Sequence, residues 1–223
     1  MKRNNADDAS RYLPERRSIN TLRTAAQKCQ ACDLYRNATQ AVMGAGPVTA
    51  SIVFIGEQPG NDEDLQGLPF VGPAGKMLDR ALVEAGIDRL EVYVTNVVKH
   101  FKFEERGKRR IHKKPNTVEV EACNPWLEAE IGLIKPKMIV CLGATAAQAI
   151  LGRTYRLTKE RGTFTPHAWA PSVTATLHPS AILRAPDEES RHQQYQDFVA
   201  DLKQIKKKLH ETEKASRRLM PAR

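Results

Sequence analysis

The sequence predicts a three-layer α/β/α sandwich with a four-stranded, mostly parallel central sheet. Short apolar runs rich in β-branched residues recur along the chain, as in strands that are buried on both faces. Stretches with helical spacing of apolar residues separate these runs, and this alternation is typical of a parallel sheet covered by helices. The length of 223 residues suits one domain with a sizeable core.

Four segments have the pattern of buried strands. The first ends in a sharp turn at residues 56–60, because two glycines and a proline interrupt the apolar run. A further segment, residues 163–169, is a candidate to pair with the last strand. The four predicted strands are residues 51–55, 92–96, 137–143 and 172–177.

Five segments show the helical spacing of apolar residues. The second of them stops at Gly86, a residue suited to the end of a helix. The last is long, basic and amphipathic, and it closes the predicted domain. The five predicted helices are residues 19–28, 76–85, 117–133, 144–151 and 193–209.

The two ends of the chain differ in composition from the middle. Residues 1–17 are charged and contain few apolar side chains, so we expect a flexible N-terminal arm. Residues 211–223 are basic, and we expect a flexible tail there. Residues 18–210 form the single predicted domain, which we expect to act as a monomer.

The formal net charge of +9 favours a polyanionic partner such as a nucleic acid. No run of roughly 18 apolar residues is present, so we expect no membrane span. The polar N-terminus lacks the apolar core of a secretory signal, which predicts a cytoplasmic protein. In that compartment the four cysteines are better explained as metal ligands or buried thiols than as disulfides.

Polar side chains stand at the carboxyl ends of three predicted strands, the edge where open α/β sheets bind ligands. Glu57 and Gln58 follow the first strand, Asn96 ends the second, and His178 follows the fourth. An amide both donates and accepts hydrogen bonds, so Asn96 can pair with an imide edge of the kind that uracil presents. A solvated loop with a capping carboxylate would also explain the first pair, and the three strand ends together favour a site.

The glycine- and proline-rich loop at residues 67–75 contains Phe70. Such a loop holds an aromatic ring outside the regular core, where it can stack on a flat ligand such as a nucleobase. The alternative is an aromatic side chain folded over the core.

A second loop is dense in cations and is expected to be irregular because of Gly107 and Pro115. It suits contacts along a phosphate backbone, and a solvated insertion is the alternative. Its basic residues are Lys102, Arg106, Lys108, Arg109, Arg110, His112, Lys113 and Lys114.

Cys29 and Cys32 form a Cys-x-x-Cys pair that can place both sulfurs on one metal ion or cluster. Zinc sites, redox dithiols and iron–sulfur sites share this spacing. A redox dithiol usually follows a strand of a thioredoxin-like unit, and no strand precedes this pair. The spacing is compatible with a zinc site and with an iron–sulfur site.

Four motifs, in this order and spacing, resemble those of the uracil-DNA glycosylase superfamily. They are Gly-Glu-x-Pro-Gly at 56–60, Gly-x-Pro-Phe-Val-Gly-x-Ala-Gly at 67–75, Val-x-Val-Thr-Asn at 92–96 and His-Pro-Ser-x-x-Leu-Arg at 178–184. The resemblance spans roughly residues 24–209 and is to family 4, whose members carry a 4Fe–4S cluster.

Two departures from family 4 point to a subgroup. His100 occupies a position where family 4 has a cysteine, and the insertion Lys-Arg-Arg-Ile-His at 108–112 is additional. Together with Gln58, these features resemble the UdgX-type enzymes. Members of that subgroup excise uracil and then remain covalently attached to the abasic sugar through the loop histidine.

The resemblance implies a role for each site residue. Phe70 would stack on the extruded uracil, Asn96 would pair with its imide edge, and His178 would stabilise negative charge at O2. Glu57 would stabilise an oxocarbenium ion at the sugar and orient His112, the nucleophile. Residues implied in substrate binding are Gly56, Gln58, Ser180 and Arg184, and those implied in loop support and DNA-backbone contact are Lys108, Arg109 and Arg110.

The resemblance also implies a 4Fe–4S cluster held by Cys29, Cys32 and Cys123. The fourth ligand would be His100 or Cys141, and we prefer His100 because Cys141 lies in an apolar strand, as a core thiol does. A structural zinc ion is the alternative for the whole set.

The implied function is therefore excision of uracil in DNA base-excision repair, at the bacterial nucleoid, followed by a stable adduct between His112 and C1′ of the sugar. Such an enzyme, of the N-glycosyl hydrolase type, would be effectively single-turnover. We expect single-stranded DNA as the favoured partner, with double-stranded DNA permitted. The alternatives are a conventional, turning-over family 4 enzyme and a noncatalytic uracil-DNA binder. A flavodoxin-like nucleotide binder is disfavoured because no glycine-rich phosphate loop is present.

Overall fold

The central sheet of the computed structural model, which describes residues 8–219, has the strand order β2-β1-β5-β7-β6. The strands are β1 (Ile52–Gly56), β2 (Val92–Asn96), β3 (Phe103–Arg106), β4 (Arg109–His112), β5 (Met138–Leu142), β6 (Thr165–His167) and β7 (Ala170–Thr176). Neighbours among β2, β1, β5 and β7 are parallel, and β6 adds an antiparallel edge. The predicted fold class is confirmed, with five strands in the sheet instead of four because β6 pairs with β7.

The helices connect the strands. Four of the five predicted helices end within two residues of the predicted position, whereas the last continues to Leu219 instead of ending at 209. Three short helices, at residues 61–66, 157–160 and 179–183, are not predicted. Two begin with reciprocal side-chain caps, α1 at Ser18 and α4 at Asn116. Helix α3 starts on Pro73 and ends at Gly86, whose φ of 70° places it in the left-handed region. The helices are α1 (Ile19–Ala26), α2 (Asn61–Gln66), α3 (Pro73–Ala85), α4 (Thr117–Ile134), α5 (Ala144–Leu151), α6 (Leu157–Glu160), α7 (Pro179–Leu183) and α8 (Glu188–Leu219).

The sheet separates two hydrophobic cores because successive strand residues point to opposite faces. On β1, Val53 and Ile55 pack into the core shared with α1, α4 and α5. Ile52 and Phe54 pack into the core shared with α3 and α8. Every residue of β1, β2 and β5 is buried, which explains why these strands read as continuous apolar runs.

A buried ion pair fastens the carboxyl end of β2 to α4. The ammonium of Lys99 lies 2.6 Å from a carboxylate oxygen of Glu130, and both side chains are almost completely buried. Lys99 Nζ also donates to Thr95 Oγ1 and to the carbonyl of Asn96, each at 2.7 Å. Tyr93 Oη donates to the other carboxylate oxygen at 2.8 Å. The network therefore holds the backbone of Asn96 at a defined place on the sheet edge.

The basic segment predicted as an irregular loop is a β-hairpin. Strands β3 and β4 pair antiparallel, with Phe103 opposite His112 and Arg106 opposite Arg109. Gly107, at φ +60°, takes the first central position of the two-residue turn. Glycine at this position suits a hairpin turn, so the residue expected to prevent regular structure closes the hairpin instead.

Both chain ends contain regular structure inside the segments predicted to be flexible. Of the predicted arm, residues 1–7 lie outside the described part, whereas Ala9–Tyr12 form a 3₁₀-helix that packs against α4. Ala9 is fully buried, so this turn belongs to the domain. Of the predicted tail, residues 220–223 lie outside the described part, and α8 continues to Leu219. Between residues 8 and 219, no helix is both long enough and apolar enough to cross a bilayer.

Candidate active site

Three of the predicted site residues converge on Gly56 at the end of β1. A methyl group on Gly56 would lie 2.4 Å from Asn96 Oδ1, 2.8 Å from Phe70 Cζ and 3.5 Å from His178 Nε2. Gly56 and Asn96 are register partners on neighbouring parallel strands, which brings the two strand ends together. The absence of a side chain at Gly56 therefore lets an aromatic ring, an amide and an imidazole come close together at this strand end.

Phe70 has an unusual backbone conformation, with φ of 57° in the left-handed region. Its loop is packed so tightly on Gly75 that a methyl group there would lie 1.7 Å from the Phe70 carbonyl oxygen. The Glu63 carboxylate holds the same loop by accepting the backbone N–H of Gly72 at 2.8 Å. The Phe70 ring is thus fixed with its centroid 6.3 Å from that of His178. It is buried in the core shared with α3 and α8, so the expectation that the loop holds it outside the core is wrong.

His178 is a neutral imidazole with a defined tautomer. Burial lowers its pKa to about 4, and the nearby charge of Arg184 contributes in the same direction. Its Nδ1 accepts the backbone N–H of Ser180 at 3.1 Å, so the ring proton belongs on Nε2. Nε2 is the nitrogen that faces the space beside Gly56. His178 can therefore donate a hydrogen bond to an oxygen placed there.

Glu57 uses its two carboxylate oxygens for two different partners. Oε1 lies 3.4 Å from Nε2 of His112, at the end of β4. Oε2 accepts a short hydrogen bond from Oγ1 of Thr145, in the first turn of α5. Glu57, His112, His178, Ser180 and Arg184 line one pocket together with Thr145.

The environment of His112 keeps its imidazole neutral at neutral pH. Burial is the main cause that lowers its pKa from the ordinary 6.5, and the positive charge of Arg184 acts in the same direction. The carboxylate of Glu57 opposes both effects. A neutral imidazole retains the lone pair that a nucleophile needs.

Gln58 faces the hairpin with its amide group. Its Nε2 donates to the carbonyls of Lys102 and Lys113, at 3.2 and 3.0 Å, and its Oε1 accepts the N–H of Lys102 at 3.1 Å. These two residues flank the hairpin on either side. The resemblance implies Gln58 in substrate binding, whereas these contacts of its amide hold the hairpin.

Arg110 attaches the hairpin to the domain through a carboxylate. The guanidinium lies 2.6 Å from the carboxylate of Asp64, whose side chain is fully buried. It also donates to the backbone carbonyl of Asn61 at 3.5 Å, in line with the expected support of the loop. Its Nε also donates to Asn61 Oδ1 at 2.8 Å, and the guanidinium lies 5.0 Å from the centroid of the Phe103 ring. The arginine thus joins β4 to α2. Lys108 and Arg109 are exposed at the turn.

Three of the four cysteines lie near one another. Burial raises the pKa of Cys123 to about 12, and the proximity of Cys29 and Cys32 adds to that shift. The pKa of Cys141 is raised by burial, with no contribution from another cysteine. Cys141 is a fully buried thiol of β5, as predicted for a core residue.

Two N–H groups donate to the sulfurs of this cysteine group. The indole N–H of Trp126 lies 3.3 Å from Cys29 Sγ, and the backbone N–H of Lys99 lies 3.2 Å from Cys123 Sγ. His100 directly follows Lys99 and is buried, which lowers its pKa to about 4. Across residues 8–219, no three or more His, Cys, Asp and Glu side chains are arranged to hold a metal ion.

Sequence reasoning does not identify Thr145, Asp64 or the Lys99–Glu130 pair. Threonine in the first turn of an alanine-rich helix carries no motif, and its partner Glu57 is 88 residues away. Asp64 stands out in the sequence only as part of an acidic turn. Lysine and glutamate are usually exposed, so the sequence gives no sign that Lys99 and Glu130 are buried together.

Fold and site together define an α/β domain with a polar pocket at the carboxyl ends of its parallel strands. Residues 43–203 match the family model described as the uracil DNA glycosylase superfamily. The chain therefore belongs to the uracil-DNA glycosylase superfamily, as its motifs predict.

Curated relatives cover most of the chain. It is similar to the type-4 uracil-DNA glycosylase of Thermotoga maritima, with 40% identity over 182 residues, or 81% of this chain and 91% of that protein. The type-4 uracil-DNA glycosylase of Archaeoglobus fulgidus is 35% identical over 195 residues, 84% of this chain and 92% of the relative. The type-4 uracil-DNA glycosylase of Pyrobaculum aerophilum is 34% identical over 175 residues, which is 75% of this chain and 86% of the relative.

Proposed function

We propose that this protein excises uracil from DNA and then forms a covalent bond between His112 and C1′ of the abasic deoxyribose. The observation that carries the proposal is the position of His112, beside the Glu57 carboxylate in the same pocket as His178. Excision of the base does not require a second imidazole besides that of His178, whereas a covalent bond requires a nucleophile such as His112. The family and the type-4 relatives support the excision step.

Base recognition rests on the residues around Gly56. The Phe70 ring stacks on the extruded uracil, and the Asn96 amide pairs with its imide edge. The Nε2–H of His178 faces O2 and stabilises the negative charge that develops on uracil as the glycosidic bond breaks. Because His178 is neutral and held by Ser180, this donor needs no rearrangement during the reaction.

The covalent step follows departure of the base. The C1′–N1 bond breaks with its electron pair on uracil, and a lone pair on one nitrogen of His112 forms the new bond to C1′. The proton on the other nitrogen passes to Glu57 and finally to the uracil anion. The product is a neutral N-alkyl imidazole, which is a poor leaving group. Imidazole has no primary amine, so it cannot form the Schiff base that leads to strand cleavage.

His112 outcompetes water because it is held close to the reacting carbon. Gln58 ties both ends of the hairpin, and Arg110 anchors β4 to Asp64. A nucleophile held in place has a large effective concentration relative to a diffusing one. The exposed Lys108 and Arg109 are suited to the phosphate backbone, with single-stranded DNA as the favoured substrate.

The proximity of Cys29, Cys32 and Cys123 supports an iron–sulfur cluster that these three cysteines would hold, with His100 as fourth ligand. N–H donors on two of the sulfurs stabilise the thiolate form that a cluster requires. Cluster ligands bind different iron atoms, so they stand farther apart than the ligands of a single ion. The cluster would supply a structural crosslink between the N-terminal segment, the residues after β2 and helix α4.

The test is incubation of the protein with a uracil-containing oligonucleotide, followed by a denaturing gel and an assay for free uracil. We expect an adduct that survives heat and detergent with uracil DNA and is absent with thymine DNA. His112→Ala should abolish the adduct, whereas His192→Ala, at an exposed histidine of α8, should retain it. His112→Ser should release uracil with turnover, because water then reaches C1′.

Three outcomes would contradict the proposal in different ways. Free uracil produced over many turnovers without an adduct would identify a conventional family 4 enzyme. Binding to uracil DNA with neither free uracil nor an adduct would identify a noncatalytic binder. An undiminished adduct in His112→Ala would show that another residue is the nucleophile.

A further inference from the structure

Thr145 is a polar residue of the pocket that lies outside the motifs of the sequence. It lies in the first turn of α5, directly after Gly143 and Ala144, and is partly buried. Its hydroxyl donates to Oε2 of Glu57, while Oε1 of the same carboxylate faces His112. The three side chains thus form a chain of contacts from α5, through the end of β1, to the end of the hairpin.

A glutamate side chain needs such a partner to keep one orientation. Glu57 has rotatable bonds beyond Cβ, and its side chain is 19% exposed, so packing alone does not fix its carboxylate. Threonine is branched at Cβ and therefore stiff, which makes it a well-defined donor. Arg184 lines the same pocket, and a guanidinium attracts a carboxylate that is free to turn.

We propose that Thr145 is a positioning residue that holds the Glu57 carboxylate against His112 for the covalent step. This inference rests on the function proposed above. The hydroxyl occupies Oε2 and so leaves Oε1 to orient the imidazole and to take its proton. Thr145 touches neither the sugar nor the base in this scheme and acts only through Glu57.

The test compares Thr145→Val, which keeps the shape and removes the donor, with Thr145→Ser, which keeps the donor. Thr158→Val, at an exposed threonine of α6, is the matched control. For each variant the rates of uracil release and of adduct formation are measured in a single turnover on the same oligonucleotide. We expect Thr145→Val to slow adduct formation about tenfold relative to uracil release, the effect of one hydrogen bond to a charged group.

The remaining expectations follow from the same scheme. Thr145→Ser should restore the ratio of the two rates to within about threefold of the wild type, and Thr158→Val should leave it unchanged. In Thr145→Val a larger share of the sugar should be captured by water. The inference would be overturned if the ratio of adduct formation to uracil release were the same in Thr145→Val and in the wild type. It would also be overturned if Thr145→Val and Thr145→Ser lowered this ratio equally.

A second measurement separates this inference from the proposed function. If the wild type forms no adduct, the proposed function fails, but the orientation of Glu57 is still measurable in the protein without DNA. Glu57 raises the pKa of His112, whereas Arg184 lowers it. The midpoint of the His112 ring titration, followed by NMR, should therefore fall in Thr145→Val and not in Thr145→Ser. An unchanged midpoint in Thr145→Val would overturn the inference.

Discussion

The guanidinium of Arg110 and the carboxylate of Asp64 form a 2.6 Å ion pair that fixes the position of the hairpin. Asp64 is fully buried and also accepts the backbone N–H of Thr39 at 3.0 Å. Arg110 lies two residues before His112 along β4, so its ion pair with Asp64 helps to position the imidazole. A surface hairpin acquires a defined position through this buried anchor.

Removing the anchor should separate excision from crosslinking. Arg110→Ala leaves the Asp64 carboxylate without its cation, and the hairpin loses its attachment to α2. We expect the single-turnover rate of adduct formation to fall at least tenfold, equivalent to about 1.4 kcal/mol, with a smaller effect on uracil release. Arg109→Ala, at the exposed turn, is the control and should only weaken the salt-dependent DNA affinity. Equal losses of adduct rate in both variants would contradict this role of Arg110.

A side chain at Gly56 should displace the groups that recognise the base. In Gly56→Ala the new methyl group would meet Asn96 Oδ1 at 2.4 Å and Phe70 Cζ at 2.8 Å. We expect uracil release to slow at least tenfold and the free energy of unfolding to fall by about 1–3 kcal/mol from overpacking. Gly132→Ala in α4 has no atom within 4 Å of its new methyl group and should be stabilised by roughly 0.5–1 kcal/mol with normal activity. Normal uracil release in Gly56→Ala would exclude a base at this position.

Adduct formation should depend on pH through His112. The neutral imidazole is the nucleophile, and burial holds its pKa below 6.5. The adduct rate should therefore be flat above about pH 6.5 and fall as the pH drops through a midpoint below that value. Single-turnover rates between about pH 4.5 and 8, in the range where circular dichroism shows a folded protein, measure this midpoint. A midpoint above pH 7 would mean that the Glu57 carboxylate, which raises the pKa of His112, outweighs the effects that lower it.

Removing one partner of the buried Lys99–Glu130 ion pair should strongly lower the free energy of unfolding. Lys99→Met leaves a fully buried carboxylate without its cation, which costs about 3–5 kcal/mol of unfolding free energy. The double variant Lys99→Met/Glu130→Gln removes both charges and should recover a large part of this loss. Chemical denaturation of the two single variants and the double variant gives the coupling energy. Additive effects would contradict a direct interaction.

The cysteines should divide into three that hold iron and one that does not. Cys123→Ala should lose the broad visible absorption of an iron–sulfur cluster and much of the stability, because a structural metal site contributes to folding. Cys141→Ala, its buried control in β5, should keep both the colour and the iron content. Iron loss in Cys141→Ala would move the fourth ligand there, and stoichiometric zinc in a colourless protein would exclude the cluster.

The amino-acid pattern is sufficient to predict the fold class and the residues that surround Gly56. Strands buried on both faces must be continuous apolar runs, so their ends are visible in the sequence. Parallel strands bring their carboxyl ends to one edge, so Glu57, Asn96 and His178 are expected to meet from their places along the chain alone. Both inferences need only local patterns and one rule of topology.

The partners of the polar groups, in contrast, depend on the folded arrangement of the chain. The hairpin strands carry exposed, mostly charged residues, so they show no apolar alternation that would predict them. Thr145 with Glu57, Asp64 with Arg110 and Glu130 with Lys99 are pairs separated by 88, 46 and 31 residues. Such pairs form because folding removes these groups from water at a shared place, and a buried polar group must find its partner there. Neither the burial of a polar side chain nor the proximity of its partner can be predicted from single residues of the sequence.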